Sequence, residues 1–252
     1  MPPAERRAVY SFASFEEGLA ACRIILHRGA TPAVLRLYDA IETKRNYALE
    51  DRHVLIVIDE GEPLLIDGGM ALIDDVCLNI TDGRVEDVHI AEQWFGHRNN
   101  VDALESLVSS GFVVDTMEIA APWGALDAIY ADTLAAIAAV DNVRAVSAHQ
   151  SHAYPDGACL YFTFGGDPPA DQRDDFYRKV WDRGTRTVLA SGGALSHHHG
   201  VGLNRGRFMA EALGEGFGVL EQIKAALDPH GILNPGKLGL SSPFGTPGWP
   251  TR

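Results

Sequence analysis

The chain has 252 residues, 46% of them hydrophobic, which is enough apolar side chain for a sizeable core in one large domain or two small ones. Its formal net charge is -13 and no stretch concentrates lysine and arginine, so a polyphosphate backbone is repelled and nucleic acid is excluded as a partner. The longest apolar runs, residues 54–58 and 134–140, fall far short of the roughly 20 residues that span a bilayer.

The first residues carry Arg6 and Arg7 with no apolar segment behind them, so they do not read as a secretory signal, and a cytoplasmic setting is expected. Ser14 followed by Glu17 is a capping-box pattern, and Leu19, Ile24 and Ile25 lie behind it with Gly29 beyond, which predicts a helix over 15–28. Strands follow at 33–38 and 53–59, where branched residues fill strand-length windows. A helix over 101–109 is closed by Gly111, a strand runs over 113–119, and Pro122 opens a long alanine-rich helix over 123–139. Strands at 142–148 and 158–164 flank the turn Tyr154-Pro155-Asp156-Gly157, and a further helix covers 170–190. Residues 217–227 form an apolar helical segment near the end.

Strands that alternate with helices but are joined in places by hairpin-length links predict an α+β fold, a ferredoxin-like antiparallel sheet covered by helices, with a C-terminal helical segment. Residues 1–240 are expected to form this domain, and the proline- and glycine-bearing residues 241–252 a flexible tail. Cys22, Cys77 and Cys159 are odd in number, far apart and set among apolar residues, as suits buried reduced thiols.

The most unusual segment is SGGALSHHHGVG at 191–202, three consecutive imidazoles bracketed by glycines. Imidazole titrates near neutrality, so His197, His198 and His199 suit proton transfer or metal ligation, although any one of them could equally be a satisfied core histidine. Were the segment extended, only His197 and His199 would share a face, which weakens the case for a metal. Tyr161 lies in GACLYFTF, where alternation puts it with Thr163 on one face; by pattern alone it reads as a half-buried aromatic.

The segments GGALSHHHGVG, SHAYPDGACLYFTF and ALDPHGILNPGKL, with RLYDA at 36–40 and GFVVDTMEIAAPW at 111–123, resemble the C-terminal half of FAD-linked oxidases of the vanillyl-alcohol oxidase superfamily. SHHHG together with ACLYF is the narrower signature and resembles the alkyldihydroxyacetonephosphate synthase branch. In the related D-2-hydroxyacid dehydrogenases a glutamate and two histidines bind a divalent metal. Here His198 stands for the glutamate and Tyr161 for one histidine, leaving only His152, so no metal is expected and hydroxyacid oxidation becomes the runner-up.

The resemblance implies a flavoenzyme that exchanges the acyl group of acyl-dihydroxyacetone phosphate for a fatty alcohol through an adduct at flavin N5. It places Tyr161, His198, His199 and Arg36 in the active site, with the histidines as acid-base groups, Tyr161 at the departing carboxylate and Arg36 on the substrate phosphate. Taken by itself, Arg36 reads as a surface ion pair at a strand end. His197, Asn234 and Lys237 would face the FAD. The substrate would be a lipid-like phosphate ester or, in the runner-up, a hydroxyacid, and a homodimer is compatible with the family.

No glycine-rich FAD-binding segment occurs in the chain. An N-terminal FAD-binding domain is therefore expected in cis or as a separate chain. The chain alone, as a natural split product or a truncation, is expected to be inactive and to hold FAD weakly. A non-catalytic domain that kept the fold remains a third alternative.

Overall fold

A computed structural model describes residues 2–99 and 102–245. Residues 246–252 of the tail expected at 241–252, and the start of the helix expected at Val101, lie outside the described residues. In chain order the elements are β1 (Ala4–Phe12), α1 (Phe15–His27), β2 (Val34–Tyr38), α2 (Ala40–Tyr47), β3 (His53–Gly61), α3 (Pro63–Asn79), β4 (Arg84–Val85) and α4 (His89–His97). They continue as α5 (Asp102–Ser109), β5 (Val113–Pro122), α6 (Trp123–Ala138), β6 (Val143–Ala153), β7 (Gly157–Gly166), α7 (Arg173–Ala190), α8 (Met209–Leu213) and α9 (Gly216–Leu227). No described helix is long and apolar enough to cross a membrane.

The strands form one antiparallel sheet in the order β4-β1-β3-β2-β6-β7-β5. The ferredoxin-like arrangement read from the sequence is present once in full and once without its last strand. In the first half β1-α1-β2-β3-α3-β4 gives the order 4-1-3-2, and in the second β5-α6-β6-β7-α7 repeats the path. The halves meet edge to edge where Leu37 pairs with Gln150 and Tyr38 with His149. Among the described residues the second half has no counterpart of β4: after α7 the chain makes a single bridge, Ala194 to Ala120 of β5, and runs straight into the histidines.

Local chemistry accounts for the framework. Ser14 caps α1 by accepting from the Glu17 N–H at 3.1 Å while the Glu17 carboxylate accepts from the Ser14 N–H, also at 3.1 Å. Gly18 lets α1 sit directly on β2, since a Cβ there would come within 2.5 Å of the Leu37 side chain. In β7 the residues Leu160, Phe162 and Phe164 face the helices and are buried, each contributing about 1.5–3 kcal/mol of transfer free energy.

A large core fills the space between the sheet and α1, α3, α6 and α7. The other face of the first half carries a second cluster, Val9, Tyr38, Val54, Ile56 and Ile58, closed by Ile90 and Ala91 of α4. The corresponding face of the second half has no such apolar cluster among the described residues. Strand parity puts Glu118, His149, Cys159, Tyr161 and Thr163 there instead. A sheet face that carries polar groups where the other half carries an apolar cluster is where a functional site is to be sought.

Candidate active site

Three neighbouring strands supply the floor: Glu118 of β5 pairs with Tyr161 of β7, which pairs on its other side with His149 of β6. Glu118 is fully buried and accepts from Ser196 Oγ at 2.6 Å and from the His197 N–H at 2.9 Å. His198 Nδ1 lies 3.4 Å from the same carboxylate. One carboxylate thus draws the histidine loop down onto the sheet.

The loop is not extended, which corrects the expectation that only His197 and His199 could share a face. Bends follow the single bridge at Ala194, and Gly200 and Gly202 take φ values of 73° and 57° that glycine adopts without strain. All three rings therefore gather at one place. His198 Nε2 is 2.9 Å from the Tyr161 hydroxyl, His197 Nδ1 is 3.0 Å from His198 Nδ1, and the His199 ring stands edge-on to Tyr161 at 5.3 Å. A register shift between Gln150 and Ala153 brings His152 to the same side, with its ring 4.4 Å from that of His198.

Electrostatics assign the protons. Burial, with the charge of Glu118, pushes the Tyr161 phenol up to about 12, so it keeps its proton beside His198 Nε2. Burial alone would raise the Glu118 carboxyl, but the bonds from Ser196 and the His197 N–H, together with His199 and His198, hold it below the ordinary value. Burial lowers His199, against the pull of Glu118, and no hydrogen bond to another described residue engages its ring nitrogens.

Arg36 is no surface ion pair. It sits mid-way along β2 and donates from Nη2 to His149 Nε2 at 2.7 Å, while His149 Nδ1 lies 2.9 Å from Glu42 Oε2. Burial lowers His149, and the neutral tautomer with its proton on Nδ1 satisfies both partners at once. The His149 ring stacks on Tyr161 at 4.8 Å. Arg36 Nε is buried without a hydrogen-bond partner, and the residue lines a cleft of about 600 Å³ with Trp94, Arg98, His152 and Tyr154.

The residues expected from the sequence thus divide in two. Tyr161, His197, His198 and His199 come together, with Arg36 joined through His149. Asn234 and Lys237 do not join them: both are exposed, in a turn closed by the Lys237 N–H to the Asn234 carbonyl at 3.3 Å, and neither side chain bonds to the histidine cluster. Sequence reasoning missed Glu118, His149 and Glu42. The available signal was a lone glutamate in MEIAAPW between inward-facing Met117 and Ile119. It puts a carboxylate beside His198, which stands where the related dehydrogenases have their glutamate.

The family model for "FAD linked oxidases, C-terminal domain" matches residues 1–238. The chain belongs to this family. As an FAD-linked oxidase C-terminal domain it is 24% identical over 244 residues to the uncharacterized FAD-linked oxidoreductase YgcU of Escherichia coli K12, covering 91% of this chain and 50% of that protein. Over a shorter stretch of 100 residues it is 41% identical to the alkyldihydroxyacetonephosphate synthase of Trypanosoma brucei brucei, covering 39% of this chain and 16% of that protein. Among solved structures an alkyldihydroxyacetonephosphate synthase superposes with a TM-score of 0.69 at 19% identity, over 94% of this domain and 45% of that chain. p-Cresol methylhydroxylase gives 0.64 at 11% identity over 95% and 53%. This FAD-linked oxidase domain spans about half the length of the curated relatives it matches from end to end.

Proposed function

We propose that this chain is the substrate-side half of a flavoenzyme that exchanges the acyl group of an acyl-dihydroxyacetone phosphate for a fatty alcohol. The observation that carries the reading is the union of Tyr161, His198 and His199 on the polar sheet face, with Arg36 one residue away through His149. The likeness to alkyldihydroxyacetonephosphate synthases, 41% identity over 100 residues in one case, supports it.

A polar face on which Arg36 Nε and the His199 ring have no hydrogen-bond partner among the described residues fits a flavin and its substrate. FAD would supply an electron sink for the carbon beside the substrate ketone. Its main hold would come from an FAD-binding domain in cis or on a separate chain, with His197, Asn234 and Lys237 as this chain's contacts. Arg36, pre-set by His149, grips the phosphate with its planar guanidinium. His199, neutral at pH 7 and free to accept, takes the proton from the carbon beside the ketone. Tyr161 donates to the departing carboxylate, and the Tyr161–His198 pair takes the proton of the entering alcohol.

The test is an exchange assay on the flavin-loaded enzyme that contains this chain. Labelled fatty alcohol should enter the phosphate ester with release of fatty acid and no net reduction of a dye. Dye reduction by D-lactate or D-2-hydroxyglutarate, with no exchange, would replace this reading by hydroxyacid oxidation. Neither activity would leave a binding domain that kept the fold.

A further inference from the structure

The base of the histidine loop has a second chemical character. Glu118, Cys159, His197 and His198 each offer one ligand atom, and the four atoms lie within 4.8 Å of one another. Glu118 and Cys159 are fully buried and project from adjacent strands of the floor, whereas His197 and His198 hang over them from the exposed loop. Two ligands are thus fixed and two can adjust. The two Nδ1 atoms already face each other at 3.0 Å, close to the roughly 3.3 Å edge of a tetrahedron with zinc–nitrogen bonds of about 2.0–2.1 Å.

We propose that Glu118, Cys159, His197 and His198 form a divalent-cation site suited to zinc. Sulfur with two imidazoles selects a borderline or soft ion over magnesium or calcium, and one carboxylate completes a four-ligand shell. Four protein ligands leave no open position, so the ion acts structurally and pins the histidine loop to the sheet. Binding exchanges the Cys159 thiol proton for the metal and releases that proton to solvent. Coordination of His198 through Nδ1 places its one proton on Nε2, which then donates to the Tyr161 oxygen, and His199 stays outside the shell. The site stands whether or not acyl exchange is the reaction.

Cobalt(II) titration of the purified chain tests it without any activity readout. One equivalent should give a thiolate-to-cobalt charge-transfer band in the near ultraviolet with the strong visible bands of tetrahedral cobalt, and zinc should remove both. Cys159→Ser should lose the near-ultraviolet band, and His197→Ala should bind at least about tenfold more weakly. Cys22 and Cys77 lie in the core on the helical side of the sheet and cannot substitute. Zinc should raise the melting temperature of the wild type but not of Cys159→Ser, whose own melt checks that it is folded. No charge-transfer band at saturating cobalt, or a band that survives Cys159→Ser, overturns the proposal.

Discussion

Replacing Glu118 by glutamine keeps its shape and removes its charge, which isolates what the carboxylate does for the histidine loop. In the wild type it accepts from Ser196 Oγ at 2.6 Å and from the His197 N–H at 2.9 Å. Hydrogen bonds to a charged group contribute about 1.5–3 kcal/mol each and neutral ones about 0.5–1.5 kcal/mol. Glutamine retains one acceptor oxygen, so one bond becomes neutral and the other must be remade through the amide, a loss of about 2–3 kcal/mol. At 1.36 kcal/mol per factor of ten, loop opening becomes about 30- to 150-fold more frequent. Hydrogen exchange over residues 194–200 should accelerate by that factor at pH 7 while the core strands keep their protection. Because the folded-state value of Glu118 is depressed, its stabilisation is present above the unfolded value of about 4.3 and fades as pH falls through the folded one. The difference between wild type and Glu118→Gln should therefore shrink in acid. Loop exchange unchanged within about twofold at pH 7 would refute the account of how the histidines are held.

Glu42→Gln removes the charge that fixes the His149 tautomer and so loosens Arg36; the expected result is a raised KM with kcat nearly unchanged, and a fall in kcat alone would contradict it. Tyr161→Phe keeps the ring stacked on His149 but deletes the donor, and should lower kcat of the flavin-loaded enzyme by about 100-fold with little change in melting temperature. The chain alone should bind FAD more weakly than about 1 μM in a calorimetric titration; submicromolar binding would contradict its reliance on an FAD-binding domain.

Periodic segments and punctuated ends were legible in the sequence. The capping box of α1, the alternation of β7 and the proline-opened α6 all appear within a few residues of their expected bounds. The elements passed over have identifiable reasons. β1 begins with Glu5, Arg6 and Arg7, whose charges mask a strand that only becomes apolar at its end. α2 is polar over most of its length and starts from the Asp39 cap, and α3 carries Gly68 and Gly69 inside it. At the site, the histidines and Tyr161 announced themselves, but their arrangement depends on Glu118, 78 positions before Ser196. The Arg36–His149 bond closes over 113 positions and leaves no local periodicity to read.

The central claim is that His199 takes a proton from the carbon beside the substrate ketone. It is tested most directly by following tritium at that carbon in the flavin-loaded enzyme before any alcohol is added. Washout into solvent should rise with pH to a plateau, through a pKa below the ordinary histidine value of about 6.5, because burial favours the neutral ring. It should vanish in His199→Gln. Tritium that stays in place in the wild type, or washes out equally fast in the variant, would contradict the account.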